Sequence, residues 1–166
     1  SVEDIIMKSS NVGTIRMALA AGTSAQKKTL KDLGFFDAVP VELGEAGRTK
    51  PQIPKNWSDT STITISFGHG ISATPLHLAT AYSIVANGGY RVKPTIKKIN
   101  FENLTKEKVI SPKTSQQLIS MLRRVVSEVD GTAKMAKVDG YEVAGKTGTA
   151  EKIKPTGGYY DKKVIA

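Results

Sequence analysis

Apolar residues recur at helical spacing through most of the chain and turn to alternation near its end. Residues 2–8, with Val2, Ile5 and Ile6, read as the end of a helix, which Ser9-Ser10-Asn11 interrupts. Val12, Ile15 and Leu19 then share one helical face, and Gly22 stops that helix. Thr23 or Ser24 can cap the next one, which carries Leu30 and Leu33 and ends at Gly34. From 35 to 62 the chain is irregular, because Pro40, Gly44, Gly47, Pro51 and Pro54 break any regular element. A loop of that length in a compact domain is usually functional or mobile. It holds the single tryptophan, Trp57, expected to cover core beneath the loop.

Thr62 to Ser66 alternates and predicts a short extended segment, followed by a turn at Gly68-His69-Gly70. Thr74 caps a helix with Pro75 at its first position. Its stripe of Leu78, Ala79, Tyr82, Val85 and Ala86 predicts deep burial, and Asn87-Gly88-Gly89 ends it. Tyr90 to Ile99 reads as extended, broken by Pro94. Ser111 and Pro112 start another helix, with Leu118, Leu122, Val125 and Val129 as its stripe and Arg123 and Arg124 outside. It ends at Asp130-Gly131. A strand leads from Val138 to Thr149, Pro155-Thr156-Gly157-Gly158 makes a turn, and Tyr159 to Ala166 begins another strand. The expected class is α+β: a helical subdomain followed by the start of an antiparallel sheet, with no internal repeat.

Composition changes this picture little. The 166 residues suffice for one domain with a core, and 39% hydrophobic with 23% charged residues is globular. No apolar run is long enough to span a membrane or serve as a secretion signal. The chain opens without Met in a helical pattern and closes on Val164-Ile165-Ala166, so it is expected to be a piece of a longer protein. The absence of cysteine rules out disulfides, thiolate metal sites and a cysteine nucleophile. A net charge of +9 raises nucleic acid as a partner. The lysines are scattered, however, and no run alternates with aromatics to form a stacking platform, so no nucleic-acid role is expected.

The candidate chemistry sits at the two ends. Val143-Ala144-Gly145-Lys146-Thr147-Gly148-Thr149-Ala150 places a lysine between glycines and follows it with two hydroxyls. Glycines so close weaken a strand unless a backbone or ligand must approach it. Lys146, the Thr147 and Thr149 hydroxyls and bare N–H groups would receive an extended chain bearing a carboxylate. The other reading is a Gly-rich hairpin edge with a solvated lysine. Near the start, a break at Ser9-Ser10-Asn11 could present the Ser9 hydroxyl and the Asn11 amide on one side of a cleft, since residues two apart in an extended link point the same way. The same residues are favoured caps, and Asn11 could simply cap the helix of Val12 and Ile15. His69 lies between glycines with no Asp or Cys at ligand spacing and reads as a turn residue; His77, in a first helical turn, reads as structural.

Ser-x-Asn on an interhelical loop and Lys-Thr-Gly on a strand are two of three motifs of penicillin-interacting serine enzymes. Ser9-Ser10-Asn11-Val12-Gly13, Gly68 through Ala79, Ala86-Asn87-Gly88-Gly89, Gly131-Thr132-Ala133 and Ala144 through Ala150 occur in that order. In wording and order the chain resembles the transpeptidase domain of class B penicillin-binding proteins. Thr62 through Gly68, and Glu151-Lys152-Ile153 leading to Tyr159-Tyr160, resemble the septal, cell-division branch most, with the elongation branch second. The third motif, Ser-x-x-Lys, carries the nucleophile upstream of Ser-x-Asn and is not in these residues. Ser24-Ala25-Gln26-Lys27 has the spacing but follows Asn11 and reads as a cap and first turn. Residues 1–166 are thus expected to be a partial transpeptidase domain of the penicillin-binding-protein and β-lactamase fold. The Ser-x-x-Lys segment upstream and the last strands and helix downstream would be missing.

The resemblance implies an acyl-enzyme D,D-transpeptidase. It would take peptidoglycan stem peptides ending in D-Ala-D-Ala, be trapped by β-lactams, and use no metal or cofactor. Carried over by position, Ser9, Asn11 and Lys146 are catalytic, and Thr147, Gly148 and Thr149 bind substrate. Ser9 would relay a proton towards the leaving amine and Lys146 would keep the field positive. Asn11 would meet the acyl side-chain amide, the two threonine hydroxyls the terminal carboxylate, and the Thr149 N–H the oxyanion. Strict alternation would put Lys146 opposite Thr147 and Thr149, so twist must help if all three serve. The resemblance also implies a parent anchored in the cytoplasmic membrane, with this domain in the periplasm among membrane proteins of the division machinery. Residues 1–166 alone would be inactive and prone to self-association. The alternatives are a non-catalytic scaffold of the same fold, an elongation-type transpeptidase, or a D,D-carboxypeptidase.

Overall fold

The computed structural model describes residues 1–100, 105–153 and 159–165. Its helices are α1 (Val2–Met7), α2 (Asn11–Ala21), α3 (Thr23–Asp32), α4 (Asp59–Ser66), α5 (Pro75–Ala86) and α6 (Pro112–Ser127). Two antiparallel ribbons follow from β1 (Tyr90–Val92) with β2 (Lys106–Lys108) and from β3 (Thr149–Ile153) with β4 (Tyr159–Ile165). Helices first and an antiparallel ribbon last is the expected α+β order.

The core lies along α6, which packs on α1 and on α5. Met7, Ala81, Ile84, Val125 and Val126 are buried there, Ile84 and Val125 completely. Burying one such side chain contributes about 1.5–3 kcal/mol. Ser115 Oγ, also buried, donates to the Val85 carbonyl at 2.6 Å and ties α6 to α5. Both α6 and α5 begin on a hydroxyl: Ser111 Oγ accepts from Thr114 N at 3.0 Å, and Thr74 Oγ1 accepts from His77 N at 3.4 Å with Pro75 next in line. Gly13 lets α2 pass close to α1, since a Cβ there would lie 2.5 Å from Ile5 Cγ1.

The long loop is held mostly by side chains, with one antiparallel backbone bridge between Gln52 and Ser72. Trp57 stacks on Phe36 with ring centroids 6.1 Å apart, and Lys27 Nζ lies 5.4 Å from the Trp57 ring centroid. His77, buried, donates from Nε2 to the Asp37 carbonyl at 2.9 Å, while its Nδ1 faces the Thr74 hydroxyl at 2.7 Å. It is a structural histidine, as expected. Glu42 accepts from Thr95 Oγ1 at 2.9 Å and from Ile96 N at 3.2 Å, which holds its carboxyl below the usual range.

Five expectations are corrected. Thr62–Ser66 is not extended but the end of α4, which Ser58 starts with a reciprocal cap to Ser61. The Thr-Ile alternation mimics a strand, yet Thr62 is needed inside: its Oγ1 lies 2.8 Å from Thr23 Oγ1 and accepts from Trp57 Nε1 at 3.2 Å. For the same reason Thr23 does not cap α3; Gly22 stands at that position without a side-chain bond. On α5 the buried face is His77, Ala81 and Ile84, whereas Leu78 and Tyr82 are exposed. The last strand pair starts later than predicted: residues 142–148 belong to no ladder, and β3 begins at Thr149, paired with Ile165. Val129, placed in the α6 stripe by its spacing, falls beyond the helix and is exposed. The Pro155–Gly158 turn lies outside the described residues.

Candidate active site

Ser9 stands at the end of α1 in a left-handed conformation, with φ 52°. It is the one non-glycine residue with positive φ among the described residues. Ser10 N donates to Ile5 O at 3.0 Å and Ser9 N to Ile6 O at 3.2 Å, the paired bonds of a Schellman helix stop in which glycine usually takes the Ser9 place. Ser10, not Asn11, then caps α2, accepting from Gly13 N at 3.2 Å. The triplet therefore closes one helix and opens the next. Only Ser10 is extended, and the Ser9 hydroxyl, needed by neither cap, is left exposed. Asn11 is the first residue of α2, and its exposed amide makes no hydrogen bond among the described residues.

Lys146 comes to Ser9 from the other end of the chain. Its Nζ donates to Ser9 Oγ at 2.7 Å, a contact between residues 137 apart in sequence. The ammonium also curls back onto its neighbour, donating to the Thr147 carbonyl at 3.0 Å and to Thr147 Oγ1 at 3.3 Å. That curl brings Lys146 and Thr147 to one side, although strict alternation would part them. Burial lowers the Lys146 pKa from the ordinary 10.5. No carboxylate among the described residues pairs with it. A half-buried ammonium with hydroxyl and carbonyl partners alone makes a positive field that suits an incoming anion.

The backbone around Lys146 is anchored to α6. Gly145 N donates to Leu122 O at 3.2 Å, and Arg123 pairs with Glu142. Thr132 Oγ1 lies 3.1 Å from Thr147 Oγ1. The loop carrying Thr132 is fixed by Gly131, where a Cβ would lie 2.3 Å from Val125 O, and by Ala133 N donating to Val125 O at 3.1 Å. Gly148 and Thr149, the remaining expected substrate contacts, are exposed where β3 begins. Ser9, Lys146, Thr147 and Thr132 thus form one polar row along the exposed rim where α1, α2 and the approach to β3 meet. Thr132 was not singled out from sequence for any chemistry. The signal available was that Gly131-Thr132 belongs to the same ordered set of segments as the other two motifs. His69 lies between Gly68 and Gly70 with its ring 5.3 Å from that of Phe67.

A helical body, a late antiparallel ribbon and a serine–lysine contact between them are the arrangement expected of the penicillin-binding-protein fold. Residues 1–166 match the penicillin binding protein transpeptidase domain, and the chain belongs to that family. Penicillin-binding protein PbpB of Mycolicibacterium smegmatis is 40% identical over 170 residues, covering 93% of this chain and 26% of the relative. Peptidoglycan D,D-transpeptidase FtsI of Escherichia coli K12 is 35% identical over 161 residues, covering 96% and 27%. Among solved structures, the apo transpeptidase domain of Burkholderia pseudomallei penicillin-binding protein 3 superposes with a TM-score of 0.89 at 33% identity, covering 99% of this chain and 50% of that one. Penicillin-binding protein 3 of Mycobacterium tuberculosis complexed with ampicillin gives 0.85 at 32% identity, covering 99% and 40%. The chain spans about a quarter of the length of the curated relatives it matches.

Proposed function

We propose that these residues form one wall of the active site of a peptidoglycan D,D-transpeptidase that cross-links stem peptides during septal wall synthesis and is acylated by β-lactams. The observation that carries this reading is the 2.7 Å contact between Lys146 Nζ and Ser9 Oγ. Relatives named peptidoglycan D,D-transpeptidase FtsI, and neighbours complexed with ampicillin and aztreonam, support it. The nucleophilic serine comes from a Ser-x-x-Lys segment outside these residues. Its Oγ attacks the carbonyl of the penultimate D-Ala, the C–N bond breaks, and the last D-Ala leaves as an amine. The proton released by the nucleophile reaches the departing nitrogen through Ser9, which ends with the proton count it began with. An amine of a second stem then takes the acyl group.

Lys146 accounts for part of that path. Because the ammonium donates to Ser9 Oγ, the hydroxyl proton of Ser9 stays free to move towards the leaving group. Thr147 and Thr149 take the terminal carboxylate, with Lys146 beside them. The N–H of Thr149 is one of two oxyanion donors, each worth roughly 3 kcal/mol. Asn11 meets the acyl side-chain amide, and Gly148 lets the substrate lie along the start of β3 as an added strand. The parent is anchored in the cytoplasmic membrane with this domain in the periplasm, next to membrane proteins of the division machinery. None of the described helices is itself long and apolar enough to cross a membrane. Lys146→Ala in the parent protein is expected to abolish labelling by a fluorescent penicillin on a denaturing gel; retained labelling overturns the reading.

A further inference from the structure

We infer that Thr132 is a positioning residue for carboxylate recognition: its hydroxyl sets which way the Thr147 hydroxyl points its proton. This rests on the transpeptidase reading above, and it adds a residue that lies in neither the Ser-x-Asn nor the Lys-Thr-Gly motif. Counting hydrogens around Thr147 Oγ1 leads to it. A threonine hydroxyl has one proton to give and two lone pairs to receive. One lone pair takes the Lys146 ammonium at 3.3 Å. Thr132 Oγ1 stands at 3.1 Å and can be served in either direction. With the site empty, Thr147 can donate to Thr132. When a carboxylate arrives, Thr147 must turn its one proton onto it, because an ionised carboxylate only accepts. Thr132 then becomes the donor and fills the second lone pair of Thr147. The Thr147 proton has an acceptor in both states, and only two hydroxyl rotors move.

The position of Thr132 is built for this, since it cannot drift away. Gly131 runs against the end of α6 with room for no side chain, and Ala133 N is bonded to the same Val125 carbonyl that Gly131 touches. Thr132 is thereby held on both sides by α6, whose Leu122 carbonyl also receives Gly145 N just ahead of Lys146. One helix registers both hydroxyls.

The test uses the parent protein and compares second-order acylation rates with benzylpenicillin and with its methyl ester. Thr132→Val keeps the shape and removes the hydroxyl. It is expected to slow benzylpenicillin about tenfold, the size of one lost hydrogen bond to a charged cluster. It should leave the ester rate at its wild-type value, because the ester offers no carboxylate for Thr147 to meet. Thr132→Ser restores the hydroxyl and should restore the benzylpenicillin rate. Equal slowing of acid and ester would reduce Thr132 to a structural role and overturn the inference, as would an unchanged benzylpenicillin rate. Lys146→Ala runs alongside: if that variant still acylates, the transpeptidase reading itself fails, whatever Thr132 does.

Discussion

Ser9 occupies a conformation that costs an L-residue about 1–2 kcal/mol relative to glycine-friendly geometry. The helix stop around it would be better served by glycine, yet the hydroxyl that touches Lys146 would then be lost. Strain of this kind persists where function overrides local preference. Ser9→Gly is therefore expected to fold at least as stably as the wild type, by up to about 1 kcal/mol, while β-lactam acylation of the parent collapses. Thermal unfolding beside a penicillin-labelling assay reads both, and a large loss of stability in Ser9→Gly would contradict the strain. Lys146 makes a prediction in pH. Its folded pKa lies below the 10.5 of an unfolded chain, because burial disfavours the ammonium. Between those two values the unfolded chain holds more protons, so the penalty of burying Lys146 fades and its contribution to stability improves as pH rises through that window. Activity runs the other way, since the positive field disappears as Lys146 deprotonates. The alkaline limb of acylation should fall below the pH expected of an exposed lysine, and an acylation rate still flat well beyond it would argue against a charged Lys146.

At the scale of elements, the chain announced some of its architecture and hid the rest for identifiable reasons. Caps and stops were legible at α2, α5 and α6, because Gly22, Thr74-Pro75 and Ser111-Pro112 act within a few residues of themselves. The α4 helix was not, because its Thr-Ile alternation has strand period while its start depends on Ser58 and its burial on distant Thr23 and Trp57. The buried face of α5 was misread for a related reason: His77 is buried because its two ring nitrogens find Thr74 and Asp37, which a hydropathy stripe does not register. The serine and lysine of the site were visible as paired motifs, but the left-handed turn sits on a serine where a helix stop usually has glycine, and the place of the Thr132 hydroxyl depends on how the chain folds back onto the end of α6. That dependence is testable. Gly131→Ala forces a Cβ to within 2.3 Å of Val125 O, so the loop or the helix end must yield. A cost of about 1–3 kcal/mol is expected in denaturant unfolding, with slower acylation as Thr132 moves. Ser115→Ala, which leaves the half-buried Val85 carbonyl without its donor, should cost about 1–2 kcal/mol and leave acylation kinetics nearly unchanged.

Across the whole molecule, the site rim is polar while several apolar side chains elsewhere have no cover. Leu78 and Tyr82 lie open on α5, and Val129, Met135, Val138 and Tyr141 form an exposed run between α6 and β3, with Tyr141 76% exposed. Patches of this kind on a soluble chain mark places where something else packs. The β3–β4 ribbon adds a second opening, since among the described residues it pairs with no third strand and leaves an unbonded edge on each side. A two-stranded ribbon alone is marginal in water, and an unprotected edge is a template for another copy. The 166-residue chain is therefore expected to associate with itself as concentration rises, through its apolar run and its strand edges together. Light scattering should show a mass above the monomer. Replacing Met135 and Tyr141 with serine should shift that association to higher concentration, because it removes two of the largest uncovered apolar surfaces and touches none of the site row. Scattering that stays at the monomer mass over the whole soluble range would mean that these faces repel their own kind, which the net charge of +9 would then have to explain.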